Sequence, residues 1–277
     1  MLKHNEPMAS HCSLRSGGLA QDFFTPNSIQ ALADFLSTNT QAVVFVGLGS
    51  NLLIRDQGFN GVVVKLTQLN ALSINHSTIS VSAGTTLAKL SRFIHSQHQY
   101  GGEFLSAIPG TVGGALAMNA GAFGSEFWQY VVQVQTMNSS GEVFWRSVDE
   151  FNISYRQVTP KHADEFFVAA KLAFNTEKSD QDVKQLLLKR NASQPIGLPS
   201  CGSVFKNPPG QYAAELIELA NLKGHCVGGA CVSNKHANFI INQNKATASD
   251  IENLITHIQQ TVKSKFNINL ETELIII

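Results

Sequence analysis

The residues best suited to chemistry in this chain lie in two glycine-rich stretches. Gly47-Leu48-Gly49-Ser50-Asn51 follows the apolar run Ala42–Val46. Glycine at such a place lets the main chain approach a pyrophosphate closely, with successive N–H groups turned toward its oxygens. A tight turn between two buried strands uses the same residues. The stretch lacks the third glycine and following helix of the dinucleotide fingerprint, so a Rossmann domain is not expected. The second stretch is richer: Ile108-Pro109-Gly110-Thr111-Val112-Gly113-Gly114-Ala115, then Met118-Asn119-Ala120-Gly121-Ala122-Phe123-Gly124. Glycines broken by small apolar residues imply backbone packed against something flat or phosphorylated, or else a tight packing corner. Thr111 and Asn119 add hydrogen-bonding side chains that a corner does not need.

Helices and strands must hold these stretches in place. Apolar residues at helical spacing predict helices through Ile29, Leu32, Ala33 and Leu36, through Leu87, Leu90, Phe93 and Ile94, and through Val183, Leu186 and Leu187. A further helix runs through Ala213, Leu216, Ile217 and Ala220, with Gly224 as its left-handed C-cap. The longest starts at an N-cap Thr247 with Asp250 three residues on, and carries the stripe Ile251, Leu254, Ile255, Ile258 and Val262. Strands are expected at 42–46, 61–66, 131–137, 143–147, 166–174 and 273–277, with Ser139-Ser140-Gly141 as a hairpin turn. This mixture is an α+β or α/β pattern. At 277 residues the chain is long enough for two packed units, and the Pro/Gly/Ser segment from Pro195 to Gly202 marks the best boundary.

Composition narrows the partners. Hydrophobic residues at 43% and charged residues at 14% describe an ordinary globular protein. A formal net charge of zero argues against a nucleic-acid surface but not against an anionic small molecule. Cys12, Cys201, Cys226 and Cys231 form no C-x-x-C pair and have no histidine at zinc spacing, so no metal site is expected. They read as reduced thiols of a cytosolic protein. The N-terminus has no signal-peptide pattern, and no apolar run approaches the roughly 20 residues of a membrane span. A soluble, cytoplasmic protein is the expectation.

Further segments extend the pattern. They are Ser13-Leu14-Arg15-Ser16-Gly17-Gly18, Gly49–Asp56 with Gly58-Phe59, Ser154-Tyr155-Arg156, Gln194-Pro195, Gly202-Ser203-Val204-Phe205-Lys206-Asn207-Pro208 and Lys235-His236-Ala237-Asn238-Phe239. With the glycine stretches, and in this order, they resemble the UDP-N-acetylenolpyruvoylglucosamine reductase (UDP-N-acetylmuramate dehydrogenase) family from Ser13 to Glu273, in its compact form without a long substrate-covering loop. The resemblance implies an α+β fold. A two-part FAD-binding domain of the vanillyl-alcohol-oxidase (PCMH-like) type would comprise 1–75 and 76–190, with an α+β substrate domain at 191–277. It also implies a reaction of peptidoglycan precursor synthesis, in which NADPH reduces FAD and flavin N5 delivers hydride to the enolpyruvyl group of UDP-N-acetylglucosamine enolpyruvate, giving UDP-N-acetylmuramate.

Residue roles carry over with that resemblance. Gly47, Gly49, Ser50, Asn51, Leu52, Ile108, Pro109, Gly110, Thr111, Gly113, Gly114, Asn119, Ala120 and Gly121 would hold FAD. Ser203 would donate the proton, with Cys201 as a lesser rival. Arg156, with its planar charged fork, would hold the substrate carboxylate, and Glu273 would work beside it, with Glu271 competing by spacing. Tyr155, Gln194, Lys206, Asn207, Lys235 and Asn238 would lie on the substrate side, whereas His236 reads as a structural histidine. The alternatives are another FAD oxidase or dehydrogenase of the same class, or a non-catalytic UDP-sugar-binding protein.

Overall fold

The computed structural model describes residues 1–178 and 181–277. They divide into two compact units, one of Met1–Leu2, Phe23–Leu48 and Val63–Lys189, the other of Lys3–Asp22, Gly49–Val62 and Arg190–Ile277.

The first unit is built on a five-stranded antiparallel sheet in the order Val143–Ser147, Val131–Asn138, Glu165–Ala173, Thr78–Ser82, Leu72–Asn75. Side chains alternate along its strands, so Ile79 and Val81 point inward, as do Val168, Ala170 and Leu172. Helix α1 (Ile29–Thr38) is capped by Ser28, whose hydroxyl accepts from the Ala31 amide, and buries Leu32 and Leu36. Helix α2 (Leu87–Ser96) is capped by Thr86 and buries Leu87, Leu90 and Ile94. These three meet Phe104, Trp128, Val134 and Leu172 in one apolar core.

The second glycine-rich stretch is not loop throughout. Val112–Met118 is helix α3, with Thr111 as N-cap and Asn119 as a left-handed C-cap at φ 46°. Glycine costs about 1 kcal/mol in a helix interior, which is why the pattern reads as loop. Here Gly113 is packed so closely that a Cβ would stand 3.0 Å from the Ala83 Cβ. Strands Phe151–Ser154 and Gln157–Pro160 form a hairpin with Tyr155-Arg156 as its turn. Helix α4 (Val183–Ser193) holds the crossing from the first unit to the second.

In the second unit, α5 (Ala213–Leu219) and the 19-residue α6 (Ala248–Phe266) enclose a core of Leu14, Leu53, Val204, Phe205, Ile217, Ile251 and Ile258. Thr247 caps α6 in a reciprocal box with Asp250. Gly224 does not close α5. The left-handed residue after that helix is Asn221 (φ 60°), while Gly224 (φ 74°) donates its amide to Val232 and opens the next hairpin. Of the expected terminal strand only Ile275–Ile276 is assigned, parallel to Leu52–Leu53.

The expectation of four reduced thiols fails at one pair. Strands Cys226–Val227 and Ala230–Val232 run antiparallel with Cys226 opposite Cys231, and the two sulfurs are joined as a disulfide. Register across a tight hairpin brings them together, which spacing along the chain does not reveal. Cys12 and Cys201 are buried and take no part in a disulfide. Among the described residues no helix is long and apolar enough to cross a membrane.

Candidate active site

In the first unit the two glycine-rich stretches meet. A Cβ on Gly47 would lie 2.3 Å from Thr111 Oγ1 and 3.0 Å from its Cγ2, so only glycine fits there. The Gly110 carbonyl accepts from the Leu87 amide at 3.1 Å, and the Ile108 amide donates to Leu105 at 3.2 Å, fixing the path through Pro109. At the start of α3 the Val112 and Gly113 amides donate to the carbonyls of Thr85 (2.9 Å) and Ala83 (2.8 Å). Thr111 Oγ1 takes a long 3.5 Å bond from the Gly114 amide. Among the described residues the amides of Leu48 and Thr111 have no acceptor, so both remain available to an anionic group. Glycine at 47 lets the chain pass against Thr111, and the two open amides suit a dinucleotide pyrophosphate.

Arg156 is tied to this stretch. From its position in the hairpin turn (φ 54°) its Nη1 donates to the Asn119 carbonyl at 3.2 Å and its Nη2 to the Gly121 carbonyl at 2.8 Å. The guanidinium carbon stands 4.9 Å from the centroid of the exposed Tyr155 ring. Asn119, 1% exposed, uses its whole amide internally: Nδ2 donates to Glu126 Oε2 (2.8 Å) and the Ser154 carbonyl (3.3 Å), and Oδ1 accepts from the Trp128 amide (3.2 Å). Ala120 donates to Ala115 at 3.0 Å, and Gly121 pairs with Glu126 across a small hairpin. Arg156, Asn119 and Gly121 are thus one connected group.

The second unit gathers Ser203, Glu273 and Asn51. Gly49 (φ 68°) passes so close to His11 that a Cβ would be 2.0 Å from its carbonyl oxygen, and the Gly49 carbonyl accepts from Ser13 at 2.9 Å. Beyond Ser50, Asn51 Nδ2 donates to the Glu273 carbonyl at 2.9 Å, and Leu52 pairs with Ile275. The Glu273 amide donates in turn to Val204, next to Ser203, at 2.8 Å. Ser203 is half-buried and its hydroxyl makes no hydrogen bond among the described residues. Cys201, 4% exposed, is a poor rival: burial, aided by the charge of Glu273, pushes its thiol up to about 12.

The remaining polar residues of this unit are engaged with protein. Lys206 Nζ stands 3.5 Å from Glu271 Oε2, and the Lys206 amide donates to the Glu271 carbonyl at 2.9 Å. Asn207 Oδ1 accepts from Ala213 at the start of α5 (3.0 Å), Gln194 Oε1 from Arg190 Nε (3.0 Å), and Lys235 Nζ donates to the Asn191 carbonyl. Asn238 is clasped to Phe205 through both ends of its amide. Sequence reasoning missed this clasp; the one available signal was an amide residue inside an apolar run, Ala237-Asn238-Phe239-Ile240.

Comparison with known proteins matches two parts of the chain. Residues 194–277 match the family model for the C-terminal domain of UDP-N-acetylenolpyruvoylglucosamine reductase, and residues 23–147 match an FAD-binding domain. Curated relatives carrying that reductase name include one from Coxiella burnetii, 46% identical over 99% of this chain and 94% of its own. Another, from Legionella pneumophila, is 47% identical over 100% of this chain and 92% of its own. The crystal structure of the Thermus caldophilus UDP-N-acetylenolpyruvylglucosamine reductase superposes with a TM-score of 0.83 at 28% identity, covering 100% of this chain and 98% of that one.

Proposed function

Because the chain belongs to the UDP-N-acetylenolpyruvoylglucosamine reductase family, we propose a division of labour among its residues for the reaction that defines the family. The protein is an FAD-dependent oxidoreductase that uses NADPH to convert UDP-N-acetylglucosamine enolpyruvate into UDP-N-acetylmuramate for peptidoglycan synthesis. The chemistry that FAD supplies when bound is hydride delivery to the terminal carbon of the enolpyruvyl double bond, after its own reduction by NADPH.

The protein's residues supply position, charge and a proton. Gly47, Thr111 and the neighbouring amides hold the cofactor's pyrophosphate, with Gly49, Ser50, Asn51 and Leu52 and the Ile108–Gly121 stretch as the surrounding contacts. Hydride addition drives negative charge onto the substrate carboxylate, and Arg156 opposes that charge with a permanently protonated fork. The carbon next to the one that receives hydride needs a proton, and Ser203 Oγ–H delivers it. Its acidity in water is poor, but a held hydroxyl beside a short-lived enolate needs placement more than pKa matching. Glu273 is assigned to work with Arg156 on the substrate carboxylate. Tyr155, Gln194, Lys206, Asn207 and Lys235 line the substrate side.

The observation carrying the assignment of Ser203 is the contact beside it: the Glu273 amide donates to the carbonyl of Val204, the residue after Ser203, at 2.8 Å. The pyridine and uridine nucleotides of the reaction favour a cytoplasmic location, and the balanced charge favours small-molecule over nucleic-acid partners. The reading is tested by purifying the protein and adding NADPH with and without the enolpyruvyl sugar. Yellow protein with sugar-dependent NADPH oxidation is expected. Colourless protein, or oxidation indifferent to the sugar, contradicts it.

A further inference from the structure

Asn238 reads from sequence as a substrate contact, yet its surroundings give it a different task. Its side chain is enclosed, the residue being 4% exposed. Nδ2 donates to the Phe205 carbonyl at 2.8 Å, and Oδ1 accepts from the Phe205 amide at 2.9 Å. The Asn238 main-chain carbonyl accepts from the Val204 amide at 2.9 Å. One residue therefore fixes Val204 and Phe205 at three points. On the opposite side the Val204 carbonyl accepts from the Glu273 amide (2.8 Å) and the Leu274 amide (3.3 Å), and the Lys206 amide donates to the Glu271 carbonyl (2.9 Å).

We propose that Asn238 is a positioning residue for Ser203 and Glu273: it holds the short Val204–Phe205 segment onto which both are fastened. The inference rests on the assignment of Ser203 and Glu273 given above. Ser203 has little else to steady it. Its own N–H and C=O make no hydrogen bond among the described residues, and Gly202 before it (φ 79°) has nothing within 4 Å of a would-be Cβ. Anchorage of the serine thus comes from the Val204 side. A primary amide offers a donor and an acceptor together and so matches the C=O and N–H of Phe205; a carboxylate offers acceptors alone, and alanine offers neither. Breaking the clasp leaves a buried carbonyl unpaired, and the segment shifts to recover a partner. A displacement of about 1 Å at a reacting group is enough to slow a step by about 100-fold.

The test compares Asn238→Asp, which keeps the shape and the acceptor but loses the donor, with Asn238→Ala and Ser203→Ala. Holoenzyme is reduced by NADPH, then mixed with the enolpyruvyl sugar. For both Asn238 variants the expected result is normal flavin content, flavin reduction at near wild-type rate, KM for the sugar within about threefold, and reoxidation slowed about 10- to 100-fold. Reoxidation at the wild-type rate in Asn238→Asp overturns the proposal. So does an equal loss in both half-reactions, or protein too unstable to retain flavin, since either marks a purely structural residue. If Ser203→Ala itself reoxidises normally, the fault lies in the serine assignment. If Ser203→Ala is slow and Asn238→Asp is normal, the positioning role alone fails.

Discussion

Gly47 and Thr111 lie so close that no side chain fits between them: a Cβ on Gly47 would stand 2.3 Å from Thr111 Oγ1. Residues 64 positions apart are thereby joined, the first ending an apolar strand and the second capping a helix. At this pair the two glycine-rich stretches touch.

Gly47→Ala is expected to force Thr111 aside and so to disturb the first turn of α3. Overpacking of this kind costs about 1–3 kcal/mol, which weakens FAD binding by roughly tenfold or more if the disturbed turn holds the cofactor. Titration of the apoprotein with FAD, followed by quenching of flavin fluorescence, measures it. Unaltered affinity would separate this contact from cofactor binding.

Arg156→Lys tests what a fork does that a point charge does not. The two Nη atoms reach the carbonyls of Asn119 and Gly121 separately, and a lysine ammonium does not reproduce that planar spread. Flavin content should stay near normal while kcat/KM for the enolpyruvyl sugar falls about 100-fold, the scale of losing one charge-stabilising donor. A parallel fall in flavin content would assign Arg156 to holding the Asn119–Gly121 stretch alone.

Acid stability should report on the start of α6. Asp56 accepts from the amides of Ala248 (2.8 Å) and Ser249 (2.8 Å) and from the Ser249 hydroxyl (2.6 Å). Burial pushes this carboxyl up, but the Ser249 hydroxyl and then the two amides outweigh it and hold it below its ordinary value. Asp250 is lowered chiefly by the Thr247 amide, then by that of Gly229. A folded pKa below the unfolded one gives stability that is present above the unfolded value, about 3.9, and is lost as pH falls through the folded one. The difference in Tm between wild type and Asp56→Asn should therefore be constant near neutrality and shrink below about pH 4. A difference that stays the same down to pH 3 would contradict this.

What the sequence displayed and what it hid follow from the range of the forces involved. Apolar periodicity is local, so it located α1 and α2, and with the cap Thr247, which acts on an amide three residues away, it located α6. Gly113 and Gly114 conceal α3 by their poor helix propensity, which the close packing of Gly113 on Ala83 overrides. The Cys226–Cys231 bridge depends on hairpin register, and the fastening of Ser203 to Glu273 and Asn238 on chain segments 70 and 35 residues away. Such pairings appear only once the second unit has closed. Ordered motifs could nominate Ser203 and Glu273 through family resemblance; the Val204 peptide between them needed coordinates.

The most direct measurement is anaerobic double-mixing stopped flow on Ser203→Ala, with flavin absorbance followed first on adding NADPH and then on adding UDP-N-acetylglucosamine enolpyruvate. Bleaching should proceed at close to the wild-type rate, and recovery of colour should slow by about 10²- to 10⁴-fold, the usual contribution of a placed general acid. Recovery as fast as in the wild type would contradict the role given to the serine and, with it, the account of how this site reduces its substrate.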